Sequence, residues 1–119
     1  MNLGADLYIK KMPREKQYTG WRTKISVGYF RDAYNETNLL WKLELSYWRL
    51  ADKWAPNGEM PVENIKKLLR LVKRRRGLLE ANIADYPENW QRYFRRKYDL
   101  FIRFLKKAIK LNSPIIWDV

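Results

Sequence analysis

From Trp90 onward the apolar residues Trp90, Phe94, Tyr98, Phe101, Leu105 and Ala108 recur at intervals of three and four, the spacing that lines one face of an α-helix. Asp85-Tyr86-Pro87-Glu88 supplies a start, with proline in the first turn beside an acidic residue, and Asn112 and Pro114 supply the stop. The spacing predicts a helix over 87–111, roughly 37 Å long at 1.5 Å per residue. A stripe of large aromatic side chains along such a helix is stable only when buried, so the rest of the chain must fold over it.

Two more helices follow from the same periodicity. Leu40, Leu43, Tyr47, Leu50, Ala51 and Trp54, flanked by Trp41, Leu45 and Trp48, predict a broad-faced helix over 36–54 with Asn35 or Thr37 as N-cap, closed by Ala55-Pro56-Asn57-Gly58. Val62, Ile65, Leu68, Leu69 and Val72 predict a second over 61–76, with Pro61 in its first turn and Gly77 as a left-handed cap. Residues 78–84 fit either a separate short helix or a continuation past Gly77. Period-two alternation marks Asp6 to Lys10 as a strand, and the tail Pro114 to Val119 (PIIWDV) suits a closing strand beside it. Lys16 to Arg31, with Trp21, Ile25 and Val27, reads as loop with some strand character. The expected fold class is therefore mainly α, about three amphipathic helices (36–54, 61–76, 87–111) with short N- and C-terminal strand-like segments. At 119 residues the chain has room for one core, a single compact basic domain over 1–119.

Composition narrows the chemistry. The chain has neither cysteine nor histidine, which removes thiolate nucleophiles, disulfides, the common zinc ligands and the usual general base near neutral pH. The carboxylates Asp32, Glu36, Glu44, Asp52 and Glu59 match no metal motif and read as partners for nearby Lys and Arg. No Gly-rich phosphate loop or nucleophile elbow is present. A non-enzymatic protein with no cofactor and no metal is expected. No apolar run reaches the length of a membrane span and the N-terminus lacks the pattern of a signal peptide, so a cytoplasmic location with no membrane partner is expected.

Twenty-five Lys and Arg against thirteen Asp and Glu give a net charge of +12, above the magnitude of roughly 2–8 that keeps a small domain soluble. The excess is uneven, with residues 29–60 close to balance and the helical stretches beyond them strongly basic. At 100° per residue, Arg92, Arg96, Arg103 and Lys110, with Arg95, Lys106 and Lys107 beside them, fall in one sector of the third helix opposite its aromatic stripe. Lys66, Lys67, Arg70, Lys73 and Arg74 cluster likewise on the second. Such faces are either ordinary solvated surfaces or, merged side by side, a surface that tracks a phosphate backbone. Gly28-Tyr29-Phe30-Arg31-Asp32-Ala33-Tyr34-Asn35 reads as a structural corner in which Asp32 holds Arg31 or caps the following turn. The other reading is a recognition loop carried by Tyr29, Phe30, Arg31 and Tyr34. A base-stacking platform of Tyr29, Phe30, Tyr34, Trp41 and Trp48 competes with plain core packing.

The segments Gly4-Ala5-Asp6-Leu7-Tyr8-Ile9, Gly28 to Asn35 (GYFRDAYN) and Asn38-Leu39-Leu40-Trp41-Lys42, with Gln91-Arg92-Tyr93-Phe94 and Pro114-Ile115-Ile116 later, resemble a small bacterial and phage protein family of unassigned function. The stretch between Ile9 and Gly28 is shorter than in that family. The resemblance supplies no catalytic or binding residue. Two functions are thus expected: binding of DNA, RNA or another polyanion through the basic helical faces, or, in a phage setting, a protein-interaction module or inhibitor. The latter would dock on an acidic or nucleic-acid-binding surface of a defence complex such as a CRISPR effector.

Overall fold

In chain order the elements are β1 (Gly4–Ile9), β2 (Tyr29–Ala33), α1 (Leu39–Lys42), α2 (Tyr47–Trp54), β3 (Glu59–Met60), α3 (Val62–Arg74), α4 (Arg76–Ile83), α5 (Glu88–Lys110) and β4 (Ile115–Asp118). The computed structural model of the chain describes residues 3–12 and 28–119. The expectation of a mainly α domain with about three helices is overturned: among the described residues there are five helices and a four-stranded antiparallel sheet, an α/β fold. The part of the Lys16 to Arg31 reading that precedes Gly28 lies outside the described residues.

Strands β1 and β4 form where alternation and the β-branched tail place them, and they pair antiparallel with Leu7 opposite Trp117. The short β3, paired to β4, is unexpected, and β2, paired to β1, takes up Tyr29 to Arg31 at the end of the stretch read as loop with some strand character and extends to Ala33, giving the order β2-β1-β4-β3. Ala5, Leu7, Ile9, Phe30, Ile115 and Trp117 are buried on the face that meets the helices. On the other face the register sets Tyr8 opposite Tyr29, with rings stacked at 5.0 Å, and Asp6 opposite Arg31, paired at 2.7 Å. Gly4 is demanded by the same register, because a Cβ there would lie 2.8 Å from the Asp32 carbonyl oxygen.

The helix expected over 36–54 is two helices, and the break has a specific cause. Glu44 adopts a left-handed conformation (φ 57°), while Leu45 N–H donates to Leu40 O and Glu44 N–H to Trp41 O. That is the Schellman pattern, here with glutamate where glycine is usual. Arg75 reaches across from the end of α3 to donate to the carbonyls of Leu43 and Glu44, at 3.2 and 2.7 Å, so the groups freed by the break are satisfied. Ser46 then caps α2, and α1 is capped by Asn38, not by the expected Asn35 or Thr37. Asn35 instead accepts from the backbone and hydroxyl of Thr37. The helix expected over 61–76 stops at Arg74, and Gly77 lies inside α4 in place of capping α3. The long helix is present as Glu88–Lys110, and Asn112 (φ 49°) closes it with the same two-bond pattern, Asn112 N–H to Ile109 O and Ser113 N–H to Ala108 O.

The core is one continuous cluster between sheet and helices. Helix α5 contributes Phe94, Tyr98, Phe101, Phe104, Leu105 and Ala108, and Phe30 packs on Phe101 and Phe104 at ring distances of 4.9 and 6.1 Å. Within this apolar interior lies a charged pair. Asp32 is fully buried, and its carboxylate accepts from Lys97 Nζ at 2.6 Å, Tyr47 OH at 2.6 Å and Leu39 N–H at 3.0 and 3.1 Å. Lys97 is completed by Thr37 O at 3.0 Å and Tyr93 OH at 3.3 Å. Burial, followed by the Asp32 charge, pushes the Tyr47 hydroxyl well above the usual phenol range, so it stays a donor. The sequence reading of Asp32 is thus resolved in favour of the cap, since Arg31 points to the opposite face and pairs with Asp6.

Two stability measurements follow. Asp32→Asn strands the Lys97 ammonium in the interior and is expected to cost about 3–5 kcal/mol in urea unfolding, with Asp32→Asn/Lys97→Met recovering a large part of that loss; equal midpoints for wild type and the single variant would show the pair to be unimportant. Glu44→Gly is expected to stabilise by about 1 kcal/mol, because glycine adopts a left-handed cap without strain. An uninterrupted helix over 36–54 would require the opposite sign.

Candidate polyanion-binding surface

Helices α3 and α5 pack against each other in antiparallel fashion. Met60, just before α3, pairs with Ile115, just after α5, while Val72 near the far end of α3 accepts a 3.3 Å hydrogen bond from Tyr98 in the middle of α5. Each helix turns its apolar stripe inward: Ile65, Leu68 and Val72 on α3, and Phe94, Tyr98, Phe101 and Leu105 on α5. The opposite sectors carry the cations, so the two basic faces expected from helical spacing lie side by side on the outside of the helical layer. Lys66, Lys67, Arg70, Lys73 and Arg74 are all exposed, as are Arg92, Arg96, Arg103, Lys106 and Lys110, with Lys107 half-buried.

These cations are not equivalent. Arg95 is bound by Glu80 through both its Nε and Nη2, the shortest contact being 2.7 Å, and those bonds hold the Glu80 carboxylate below its usual range. Arg76 stacks over the Tyr98 ring at 4.6 Å between Glu80 and Asp99, at 3.6 and 3.9 Å. Arg92 pairs with Glu88 one turn earlier at 3.1 Å. Lys66, Lys67, Arg70, Lys73 and Arg74, and Arg96, Arg103, Lys106, Lys107 and Lys110, form no ion pair among the described residues. Arg96, Arg103 and Lys110 recur every seven residues, a row of charges about 10 Å apart along α5. Ten positive charges without an ion pair among the described residues, on two adjacent helices, produce a field that attracts anions from a distance and is weakened by salt.

The residues of the expected recognition loop are not brought together in a loop. Tyr29, Phe30 and Arg31 belong to strand β2, with Phe30 in the core and Tyr29 and Arg31 tied to Asp6 on the outer face. Burial and the bond to Asp6 both raise the Tyr29 hydroxyl above its usual range. Tyr34 follows the strand, donates to Val119 O at 2.9 Å, and sits against Trp41 and Trp48 at ring distances of 6.3 and 4.7 Å. The five-residue stacking platform is therefore split between core and surface.

A second feature escaped the sequence reading. Trp41, Arg49, Lys53, Trp54, Leu71 and Arg75, with Glu44 and its neighbours, enclose an open groove of about 530 Å³ between α1, α2 and the end of α3. Arg49 and Lys53 stand one turn apart on α2, a signal that the reading of 36–54 as one mostly buried helix conceals. Among the described residues no cluster of carboxylates is placed to hold a metal ion, and no helix is long and apolar enough to cross a membrane.

Glu80→Gln should release Arg95 and Arg76 onto the surface and raise the salt concentration at which the protein leaves a heparin column, whereas earlier elution would show that Glu80 organises the surface instead of neutralising it. No family model, characterised protein or solved structure matches the chain.

Proposed function

We propose that the protein is a non-enzymatic binding protein for nucleic acid, using the outer face of α3 and α5. The observation that supports this reading is the ten cations that form no ion pair among the described residues, set on two antiparallel helices whose opposite faces are committed to the core. Placing them there costs self-repulsion in the folded state, and a polyphosphate backbone relieves it while releasing the counterions condensed on the nucleic acid. Arg96, Arg103, Lys106, Lys107 and Lys110 supply one row of contacts and Lys66, Lys67, Arg70, Lys73 and Arg74 the other. Arg95 and Arg92 serve mainly to hold their carboxylate neighbours. Contacts of this kind position a backbone without reading its bases, so the binding is expected to tolerate sequence.

The test is fluorescence anisotropy with labelled single-stranded and duplex DNA and RNA between about 50 and 200 mM salt, over which several phosphate contacts lose orders of magnitude in affinity. On duplex DNA, each of Arg96→Gln, Arg103→Gln and Arg70→Gln should shallow the slope of log affinity against log salt by about 0.9. The triple reversal Arg96→Glu/Arg103→Glu/Lys107→Glu should abolish binding with the thermal unfolding transition retained. Absence of binding at the lowest salt would overturn the reading, and a partner that co-purifies after nuclease treatment would replace it with an acidic protein surface.

A further inference from the structure

The groove beside α3 differs from the helical surface in what it offers a ligand. Trp41 is 41% exposed, and the ring of Trp54 lies under Lys53, whose ammonium is 5.1 Å from its centre. Arg49 and Lys53 make no ion pair among the described residues, while Arg75 is held on the carbonyls of Leu43 and Glu44 and acts as the wall. The one carboxylate of the lining, Glu44, accepts from Asn82 at 3.3 Å. The volume of about 530 Å³ falls in the range of small-molecule pockets, roughly 300–1,000 Å³. An exposed indole, that of Trp41, beside Arg49 and Lys53 matches a planar ring joined to a phosphate.

The groove is also continuous with the basic surface. Leu71 lines it from α3, and Lys67 and Arg74 lie four residues before and three after Leu71, on the same side of that helix. A backbone followed along Lys67, Arg70 and Arg74 therefore arrives at the mouth of the groove. In a duplex the bases are stacked and paired inside, whereas in a single strand they turn outward and stack on aromatic rings.

We infer that this groove is a base-stacking site that makes the protein prefer single-stranded over duplex nucleic acid, with an unpaired base on Trp41 and its phosphate on Arg49 and Lys53. The inference rests on the nucleic-acid reading of α3 and α5, and its failure is separable from failure of that reading. Anisotropy with a labelled single-stranded DNA 20-mer and with the corresponding duplex is measured for wild type, Trp41→Ala, Trp41→Phe, Arg49→Glu/Lys53→Glu and Arg96→Glu/Arg103→Glu. Trp41→Ala and Arg49→Glu/Lys53→Glu are expected to weaken the single strand at least about fivefold more than the duplex, the lower end of what loss of a stacked base costs, with Trp41→Ala, which removes no charge, leaving the duplex unchanged. Trp41→Phe, which keeps a ring, should retain most of the affinity. If Arg96→Glu/Arg103→Glu weakens both ligands but the groove variants weaken neither, or weaken both equally, the groove is not a base site although the helical surface stands. If Arg96→Glu/Arg103→Glu weakens neither ligand, the helical reading falls and this inference with it. Because Arg49 and Lys53 are exposed, their reversal keeps the test valid even if Trp41→Ala unfolds the chain.

Discussion

The ion pair between Asp32 and Lys97 is the constraint on which the arrangement of the other elements depends. Its two partners come from strand β2 and helix α5, and the groups that complete them come from Leu39 at the start of α1, Tyr47 at the start of α2 and Thr37 in the connection between sheet and helices. Four elements thus meet at one buried carboxylate. Burying an unpaired charge is far more costly than burying a matched pair, so any arrangement that separates Asp32 from Lys97 is strongly disfavoured. Hydrophobic burial holds sheet and helices together but is not directional. The ion pair, with its hydrogen bonds fixed in geometry, selects one docking of α5 on the sheet from the many that would cover a similar apolar area.

That docking has a consequence for the surface. Lys97 is the one cation of α5 turned into the protein, with its side chain 11% exposed, and fixing it inward fixes the rotation of the helix about its axis. Arg96, Arg103 and Lys110, at other angles on the same helix, are then held outward. The same logic operates between α1 and α3, where Arg75 gives its guanidinium to the carbonyls of Leu43 and Glu44 and so shapes the groove instead of adding an available charge to it.

Periodicity made α5 legible, along with its basic sector, because a helix of 23 residues repeats its pattern enough times to be unambiguous. The same was true of β1 and β4. The break between α1 and α2 was not legible, since the left-handed cap that ends α1 is filled by Glu44, a residue with no propensity signal for that conformation, and the apolar spacing continues across it. Strand β2 was only partly legible for a related reason: Asp32 occupies an inward position that pattern reading reserves for an apolar side chain, and its partner, Lys97, is 65 residues away in sequence. The groove was invisible because its walls come from α1, α2 and α3, whose mutual placement depends on that break.

The distribution of charge follows a division of labour that the fold makes physically coherent. Acidic residues are spent where they organise structure: Asp32 in the core, Asp6 across the sheet from Arg31, and Glu80 on Arg95 and Arg76. Helices α3 and α5 themselves carry few carboxylates, Glu63 on the first and Glu88 and Asp99 on the second, so their outer faces hold a large excess of positive charge. Apolar burial by Phe94, Tyr98, Phe101, Phe104 and Leu105 on the inner side of α5 offsets the repulsion on its outer side. Aromatic residues in the stripe and cations in the opposite sector are therefore two parts of one solution, in which the first makes the second tolerable in a chain of this size.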